Sequence, residues 1–184
     1  MKVLPYGASG MIGQGVLREC LLASDAERVT VIGRTGTGVV HAKLRGIVAP
    51  DIVAATDKAA KDAFDACLYC LGVSMSGLTE AEYTRTTFDL TMSIAAILSR
   101  TNPQMTFIYI QPLHGAKSKT RSYRIMYMVV TPLFPLINAL FDEYLLTTES
   151  IAVAMLNAVR RGAPRAVLEV ADIKSPSSDA MSRG

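Results

Sequence analysis

Short apolar segments alternate with amphipathic ones along the first 110 residues of the chain. The apolar segments have the length of strands, and they predict five β-strands at 3–6, 28–32, 44–53, 66–71 and 105–110. Between them, apolar residues at helical spacing predict helices that begin near 16, 57 and 79. The segment at 66–71 is apolar throughout, which is typical of a strand covered by helices on both sides. This alternation predicts an α/β fold with a Rossmann-like, doubly wound parallel sheet.

The third of these helices has terminal signals at both ends. Thr79 and Glu82 have the spacing of a capping box, so the helix is predicted to begin there and to continue to about Ser99. Asn102 and Pro103 then end it, because proline lacks the N–H group that another helical turn would need.

An uncharged apolar segment occupies 125–141 in the last third of the chain, and four basic residues precede it. Its length is near the lower limit for a membrane span, and two prolines interrupt it. We interpret it as helices that cover either a cleft or a subunit interface, and the second of these would make the protein a homo-oligomer. Weak contact with a membrane surface is the alternative.

A further helix is predicted from Thr147 or Thr148 to Arg161, since a hydroxyl can cap its start and basic residues suit its end. The segment at 166–173 is compatible with another strand. We therefore predict a single domain at 1–173, followed by a disordered tail at 174–184.

A glycine-rich turn separates the first strand from the first helix. Glycine allows positive φ, and it lets the backbone approach a pyrophosphate because no Cβ stands in the way. The free N–H groups and the positive dipole end of the following helix then face the phosphates. The sequence therefore predicts a dinucleotide-binding turn rather than a merely structural one, with contacts from Gly7, Ala8, Ser9, Gly10, Met11, Ile12 and Gly13.

Cofactor preference depends on the residue that follows the second strand. In a Rossmann unit, an acidic residue about 20 positions after the glycine motif binds the ribose of NAD, whereas a basic residue accommodates the 2′-phosphate of NADP. Here Gly33 and Arg34 stand at this point, and no carboxylate does. Arg34, together with Lys43, therefore favours NADP(H), with NAD as the alternative cofactor. A solvated loop arginine is the other interpretation of Arg34.

Three more residues are predicted to lie near the cofactor. Leu71 and Gly72 end the fourth strand, where the following loop would lie beside a bound dinucleotide. Asp51 could accept a hydrogen bond from the adenine amine, or it could cap the helix that follows. The sequence does not decide between these two roles for Asp51.

Composition and charge exclude several classes of protein. The formal net charge of +3 is small and dispersed, so nucleic acid is not expected as a partner. No basic segment followed by an apolar run and a cleavage site opens the sequence, so a cytoplasmic location is expected. Cys67 and Cys70 form a C-x-x-C motif inside an apolar strand and are interpreted as core residues, because a zinc site would need two more ligands. No metal site is predicted.

Four motifs together resemble an atypical short-chain dehydrogenase/reductase, and above all the small NAD(P)-binding epimerase/dehydratase-like proteins. They are the Gly-x-x-Gly-x-x-Gly turn, Val-Ile-Gly-Arg at 31–34, Cys-Leu-Gly-Val-Ser at 70–74 and Thr-Phe-Ile-Tyr-Ile at 106–110. The resemblance covers most of the chain, to about Ile173. It implies an NAD(P)-dependent oxidoreductase or epimerase that acts on a small carbonyl or sugar-like substrate.

The sequence departs from that family after the fifth strand. Members carry a Tyr-x-x-x-Lys segment on a helix there, followed by a sixth strand, but here Ile110 is joined directly to Gln111. No tyrosine of this chain has a lysine four residues later. The resemblance therefore implies a sheet that is incomplete at its carboxyl-terminal side. It also implies either an enzyme that lacks its usual proton donor or a non-catalytic nucleotide-binding or interaction protein.

Two single residues add further expectations. His114 lies in a loop that would be close to the substrate, and it is the remaining candidate for a catalytic group. Pro5 lies inside the first strand, where a missing N–H group argues against a well-formed central strand.

Overall fold

The computed structural model describes residues 1–71, 79, 82, 84–110 and 148–162. In this part of the chain, five strands form one sheet with the order β3-β2-β1-β4-β5, and all neighbours are parallel. The strands are β1 (Lys2–Tyr6), β2 (Arg28–Gly33), β3 (Leu44–Val48), β4 (Ala66–Tyr69) and β5 (Thr106–Tyr109). The chain adds β2 and β3 on one side of β1 and then adds β4 and β5 on the other side. The carboxyl ends of β1 and β4 are therefore a topological switch point. The predicted α/β, Rossmann-like parallel sheet is confirmed.

Helices cover both faces of this sheet. They are α1 (Met11–Leu22), α2 (Ile52–Ala59), α3 (Leu90–Thr101) and α4 (Thr148–Arg161). A 3₁₀ turn at Ala60–Asp62 follows α2, and a π-helical turn at Arg85–Asp89 precedes α3. One apolar cluster joins α1 and α4 to the sheet, and a second cluster joins α2 and α3 to the opposite face.

The boundary between β3 and α2 differs from the prediction. The sequence predicted a strand to residue 53 and a helix from 57, but β3 ends at Val48 and α2 begins at Ile52. Asp51 caps α2, because its Oδ1 accepts a hydrogen bond from the Ala54 N–H at 3.0 Å. The strand prediction was wrong because Pro50 and Asp51 are stronger local signals than the apolar run across them.

The capping box before α3 is confirmed by reciprocal hydrogen bonds. The Thr79 N–H donates to Glu82 Oε2 at 2.9 Å, and the Glu82 N–H donates to Thr79 Oγ1 at 3.3 Å. The Thr79 hydroxyl also donates to Glu82 Oε2, at 2.8 Å, and the two bonds that Glu82 Oε2 accepts from Thr79 lower the pKa of the Glu82 carboxyl. At the other end, Asn102 is buried and follows the last residue of α3, as predicted. Its side chain accepts from the Phe64 N–H at 2.7 Å and donates to the Ala60 carbonyl at 2.9 Å.

Pro5 interrupts the central strand on one side only, so the prediction that this strand is not well formed was correct for β2 and wrong for β4. β1 is the central strand, and it pairs with β4 at every position from Val3 to Tyr6. The carbonyls of Lys2 and Tyr6 accept from the β4 side, so the residue between Leu4 and Tyr6 faces β2. Accordingly, pairing with β2 is present at Val3 and Tyr6 but not at the two residues between them. β1 therefore accommodates Pro5 and loses ladder pairing only on the side that faces β2.

The helix α4 lies close against α1. A Cβ at Gly15 would be 2.7 Å from the Thr148 Cβ, so glycine is required for this approach. At the far end of α4, Arg160 makes two hydrogen bonds to Asp25, from Nε at 2.8 Å and from Nη2 at 2.6 Å. This contact lowers the pKa of the Asp25 carboxyl.

Three tyrosines form a row across the carboxyl ends of the central strands. Tyr6 pairs in register with Tyr69, and Tyr69 pairs with Tyr109. The ring centroids are 5.4 Å apart in the first pair and 5.8 Å apart in the second. Tyr6 and Tyr69 are buried completely, whereas Tyr109 is 37% exposed.

The buried hydroxyls of this row have different surroundings. The Tyr6 hydroxyl lies 2.6 Å from Thr56 Oγ1, which in turn donates to the Ile52 carbonyl at 2.8 Å. The side chain of Thr91 lies near the Tyr69 hydroxyl, and its own hydroxyl donates to the Thr87 carbonyl. Within the described part of the chain, the Tyr69 hydroxyl has no hydrogen-bond partner.

Several predictions concern residues outside those described. They are the apolar segment at 125–141, the strand at 166–173 and the tail at 174–184. No helix among the described residues is long and apolar enough to cross a membrane.

Candidate dinucleotide-binding site

The turn between β1 and α1 has the geometry that its glycines predict. Gly7 has a φ of 73°, and the Gly10 N–H donates to the Gly7 carbonyl at 2.9 Å. A Cβ at Gly7 would lie 2.6 Å from the Cys70 carbonyl oxygen, and a Cβ at Gly13 would lie 1.9 Å from the Gly7 carbonyl oxygen. Both contacts are with backbone atoms, so any side chain at 7 or 13 would displace the turn.

The amino end of α1 is open to an anion. Gly10 is the N-cap residue, no side chain caps the helix, and no acidic residue lies in its first turn. The first N–H groups of a helix have no intrahelical acceptor, and the helix dipole makes this end positive. A phosphate is the group that such an end binds in other proteins.

A cavity of about 370 Å³ lies beside this turn, at the carboxyl ends of β1 and β2. Five of the predicted cofactor residues line it, namely Gly7, Ala8, Ser9, Arg34 and Leu71. Arg34 is exposed and directly follows Gly33, the last residue of β2. The predicted residues Gly10, Met11, Ile12 and Gly13 continue from the cavity wall into the first turn of α1.

Other predicted residues lie elsewhere. Asp51 does not line the cavity, and one of its carboxylate oxygens caps α2. Lys43 donates to the carbonyls of Leu21 and Ala23 at 3.3 and 2.7 Å, at the opposite end of α1 from the glycine turn. The prediction that Lys43 assists Arg34 in binding the cofactor was therefore wrong. Gly72 and His114 lie outside the described residues.

The cavity also has lining residues that the sequence did not indicate as cofactor contacts. They are Val31, Ile32, Gly33, Thr35, Thr37 and Ile52. Thr35 and Thr37 follow Arg34 in the loop after β2 and line the same cavity, and Thr37 Oγ1 accepts a hydrogen bond from the Val39 N–H at 3.3 Å. The sequence could have indicated Thr35 and Thr37, because they closely follow Arg34. It did not indicate Ile52, because this residue was assigned to the predicted third strand rather than to the start of α2.

The cysteines have no reactive environment. Cys67 is completely buried, as predicted for a core residue, and burial raises its pKa. Burial also raises the pKa of Cys20 and of Cys70 to about 12, so neither thiol ionises at neutral pH. Among the described residues, no group of three or more His, Cys, Asp or Glu side chains is placed to hold a metal ion.

The parallel sheet, its switch point and the glycine turn define a dinucleotide-binding type of α/β fold. No family model and no curated protein matches the sequence. Solved structures of short-chain dehydrogenases/reductases do match the fold. One from Saccharomyces cerevisiae has a TM-score of 0.57 at 14% identity, over 89% of this chain and 92% of its own.

Two further structures agree with this result. A short-chain dehydrogenase/reductase family oxidoreductase from Aeromonas hydrophila gives a TM-score of 0.56 at 16% identity, over 85% of this chain and 90% of that one. A short-chain dehydrogenase family protein from Francisella tularensis gives 0.50 at 15% identity over 75% of this chain, which spans 64% of its length. The chain has the fold of the short-chain dehydrogenases/reductases, and the resemblance noted in the sequence is confirmed at the level of the fold.

Proposed function

We propose that the protein binds NADP(H) in the cavity beside the glycine turn. The observation that carries this proposal is the position of Arg34, which lines the same cavity as Gly7, Ala8 and Ser9 of the glycine turn. The diphosphate lies at the amino end of α1, and the adenosine lies between the loop after β2 and Ile52. The guanidinium of Arg34, helped by Thr35 and Thr37, then binds the 2′-phosphate that distinguishes NADP from NAD.

Substitution of Gly10 tests the phosphate position without removing the fold. An aspartate at this N-cap position accepts hydrogen bonds from the first N–H groups of α1 and stabilises the helix. It also puts a negative charge where the diphosphate binds. In calorimetric titrations we expect Gly10→Asp to lose binding of both NADPH and NADH, with no loss of thermal stability. Gly10→Asn is the matched control, because it caps the helix without adding a charge.

Substitution of Arg34 tests the cofactor preference. Hydrogen bonds to charged groups contribute about 1.5–3 kcal/mol, which corresponds to roughly a 10- to 100-fold change in affinity. We expect Arg34→Gln to weaken NADPH binding by this factor and to leave NADH binding unchanged. Arg28→Gln is the control, since Arg28 is an exposed arginine at the opposite end of β2. Equal affinity of the unchanged protein for both nucleotides would contradict the NADP preference, and no binding of either would contradict the proposed function.

We further propose that this chain does not carry out the tyrosine-lysine chemistry of the family that its sequence resembles. Reduction of a carbonyl by NADPH needs a proton donor for the substrate oxygen. The sequence contains no Tyr-x-x-x-Lys motif that could supply it. Measurements of NADPH oxidation with aldehydes, ketones and nucleotide sugars are expected to show binding without turnover. Oxidation that depends strictly on an added carbonyl would show instead that another group donates the proton.

A further inference from the structure

A buried chain of hydrogen bonds connects two walls of the nucleotide cavity. Tyr6 is the last residue of β1 and directly precedes Gly7, which lines the cavity at the glycine turn. Ile52 is the first residue of α2 and lines the same cavity. Thr56 lies one helical turn after Ile52, and its Oγ1 is 2.6 Å from the Tyr6 hydroxyl. Two side chains and one backbone carbonyl therefore join the glycine turn to the start of α2.

The direction of these hydrogen bonds follows from the number of protons available. A threonine hydroxyl carries one proton, and Thr56 Oγ1 donates it to the Ile52 carbonyl at 2.8 Å. The Tyr6 hydroxyl is therefore the donor in its bond to Thr56 Oγ1. Burial raises the pKa of the Tyr6 phenol, so the phenol keeps the proton that this bond needs. We call the chain of groups from Tyr6 through Thr56 to the Ile52 carbonyl the Tyr6 bridge.

The Tyr6 bridge adds directional contacts to an apolar part of the core. Tyr6 and Thr56 are completely buried, and Tyr6 belongs to the apolar cluster that includes Leu4 and Ile32. A buried hydroxyl costs free energy unless it is hydrogen-bonded, so packing alone does not explain two hydroxyls here. A hydrogen bond fixes the separation and the angle of its partners within narrow limits. The two hydroxyls therefore fix the position of α2 more narrowly than apolar contacts do.

The first turn of α2 is held at one other polar point, its N-cap. The Asp51 carboxylate accepts a hydrogen bond from the Ala54 N–H at 3.0 Å. Both partners of that bond lie at the start of α2, so it fixes the local shape of the helix and not its distance from the glycine turn. Tyr6 and Thr56 are 50 positions apart and lie on different elements. The Tyr6 bridge is therefore the contact that relates Ile52 to the strand leading into the turn.

We propose that the Tyr6 bridge sets the distance between Ile52 and the glycine turn, and so positions the wall that contacts the adenosine half of the cofactor. Tyr6 and Thr56 are positioning residues, because neither is among the described residues that line the cavity. This proposal rests on the proposed function, which puts the adenosine between Ile52 and the loop after β2. Without the bridge, the cavity has the width that fits adenosine for a smaller fraction of the time, and the apparent affinity falls by that fraction.

Calorimetric titration of the full chain with NADPH and with adenosine 2′,5′-bisphosphate measures this effect. Loss of one buried hydrogen bond changes an equilibrium constant by roughly two- to tenfold. We expect Tyr6→Phe to weaken the binding of both ligands by a factor in this range. Thr56→Val removes both bonds of the bridge and should weaken binding at least as much. The ratio of the NADPH and NADH affinities should stay the same, in contrast to Arg34→Gln, because the bridge does not act on the 2′-phosphate group.

Three further variants separate positioning from a general loss of stability. Ile94 belongs to the same apolar cluster but is neither part of the bridge nor a lining residue of the cavity. Ile94→Val should therefore lower the melting temperature and bind NADPH as the wild type does. Thr56→Ser keeps the hydroxyl and should retain the wild-type affinity. The double variant Tyr6→Phe/Thr56→Val should bind no more weakly than Thr56→Val alone, because both substitutions act on one bridge.

All affinities are compared well below the melting temperatures of the variants. Wild-type affinity in Tyr6→Phe would overturn the proposal, and so would an equal loss of affinity in Ile94→Val. An effect on NADPH that is absent for adenosine 2′,5′-bisphosphate would overturn it as well, because the bridge would then not act on the adenosine wall. Failure of the wild-type protein to bind NADPH would contradict the proposed function and the role of the bridge together. The other three results leave nucleotide binding intact, so the two failures are distinguishable.

Discussion

The two faces of the sheet bury different chemistry. On the face covered by α1 and α4, the core is apolar and the helices approach so closely that Gly15 cannot carry a side chain. On the face covered by α2 and α3, the core includes the hydroxyls of Tyr6, Thr56 and Tyr69. The stability of the first face therefore depends on how closely its helices pack. The stability of the second face also depends on whether its buried hydroxyls form hydrogen bonds.

The largest effect is expected from filling the space at Gly15. A valine there would overlap Thr148 and separate α4 from α1. Overpacking of a well-packed site costs about 1–3 kcal/mol, and we expect Gly15→Val to lie at the upper end of this range in urea denaturation. Met11→Val is the control for a β-branched residue in α1, since Met11 is 77% exposed. Unchanged stability of Gly15→Val would mean that α4 does not approach α1.

On the opposite face, the hydrogen bond between Tyr6 and Thr56 is the next largest contribution. Tyr6→Phe removes one buried hydroxyl, while Thr56 keeps its bond to the Ile52 carbonyl. A hydrogen bond of this kind contributes about 0.5–1.5 kcal/mol, so we expect a loss of about 1 kcal/mol. Thermal and urea denaturation of Tyr6→Phe measure it, and a more stable variant would contradict the bond.

The ion pair between Arg160 and Asp25 is expected to contribute less, because both side chains are partly exposed, at 34% and 44%. We expect a coupling of about 0.5–1 kcal/mol at pH 7 from a double-mutant cycle with Arg160→Gln and Asp25→Asn. The pKa of Asp25 is lowered in the folded protein by Arg160. The contribution is therefore complete above the ordinary pKa of aspartate, about 3.9, and is lost as the pH falls through the lowered value.

Arg161→Gln is the matched control for this pair, since Arg161 is the exposed residue next to Arg160. A coupling that persists after Asp25 is protonated would contradict an ionic origin.

The smallest effect is expected at Tyr69, which makes the sharpest contrast with Tyr6. The two rings pack against each other, but the Tyr69 hydroxyl has no partner among the described residues. Removal of a buried, unsatisfied hydroxyl is neutral or stabilising, so Tyr69→Phe should not lower the free energy of unfolding. A loss as large as that of Tyr6→Phe would reveal a hydrogen bond made by the Tyr69 hydroxyl, either to Thr91 or to a buried water.

Local signals in the sequence were sufficient for the order of the elements. The capping box at Thr79 and Glu82 and the buried strand around Cys67 were predicted correctly, since each depends on residues close together in the chain. The helix start at Ile52 was missed because an apolar run continued across Pro50. The position of Pro5 in a central strand was misjudged, because pairing with β4 does not need its N–H group.

The residues of the candidate site also divide into those that local sequence signals predicted and those that they did not. Gly7 and Arg34 were predicted to lie near the cofactor, and both line the cavity, because each follows directly from the end of a strand. Lys43 was assigned wrongly, since its distance from the cavity depends on the path of the chain around α1. The contacts of Gly15 with Thr148 and of Arg160 with Asp25 join residues more than 130 positions apart. No short pattern predicts such contacts.

The row formed by Tyr6, Tyr69 and Tyr109 gives the protein an optical property. The chain contains no tryptophan, so its ultraviolet emission comes from seven tyrosines. Three of these have neighbouring, tilted rings, and Tyr6 directly precedes Gly7, which lines the candidate nucleotide cavity. Tyrosine emission overlaps the absorption band of reduced nicotinamide, so a bound NADPH would quench these rings by energy transfer. Loss of tyrosine emission would therefore report NADPH binding at the proposed site without a label.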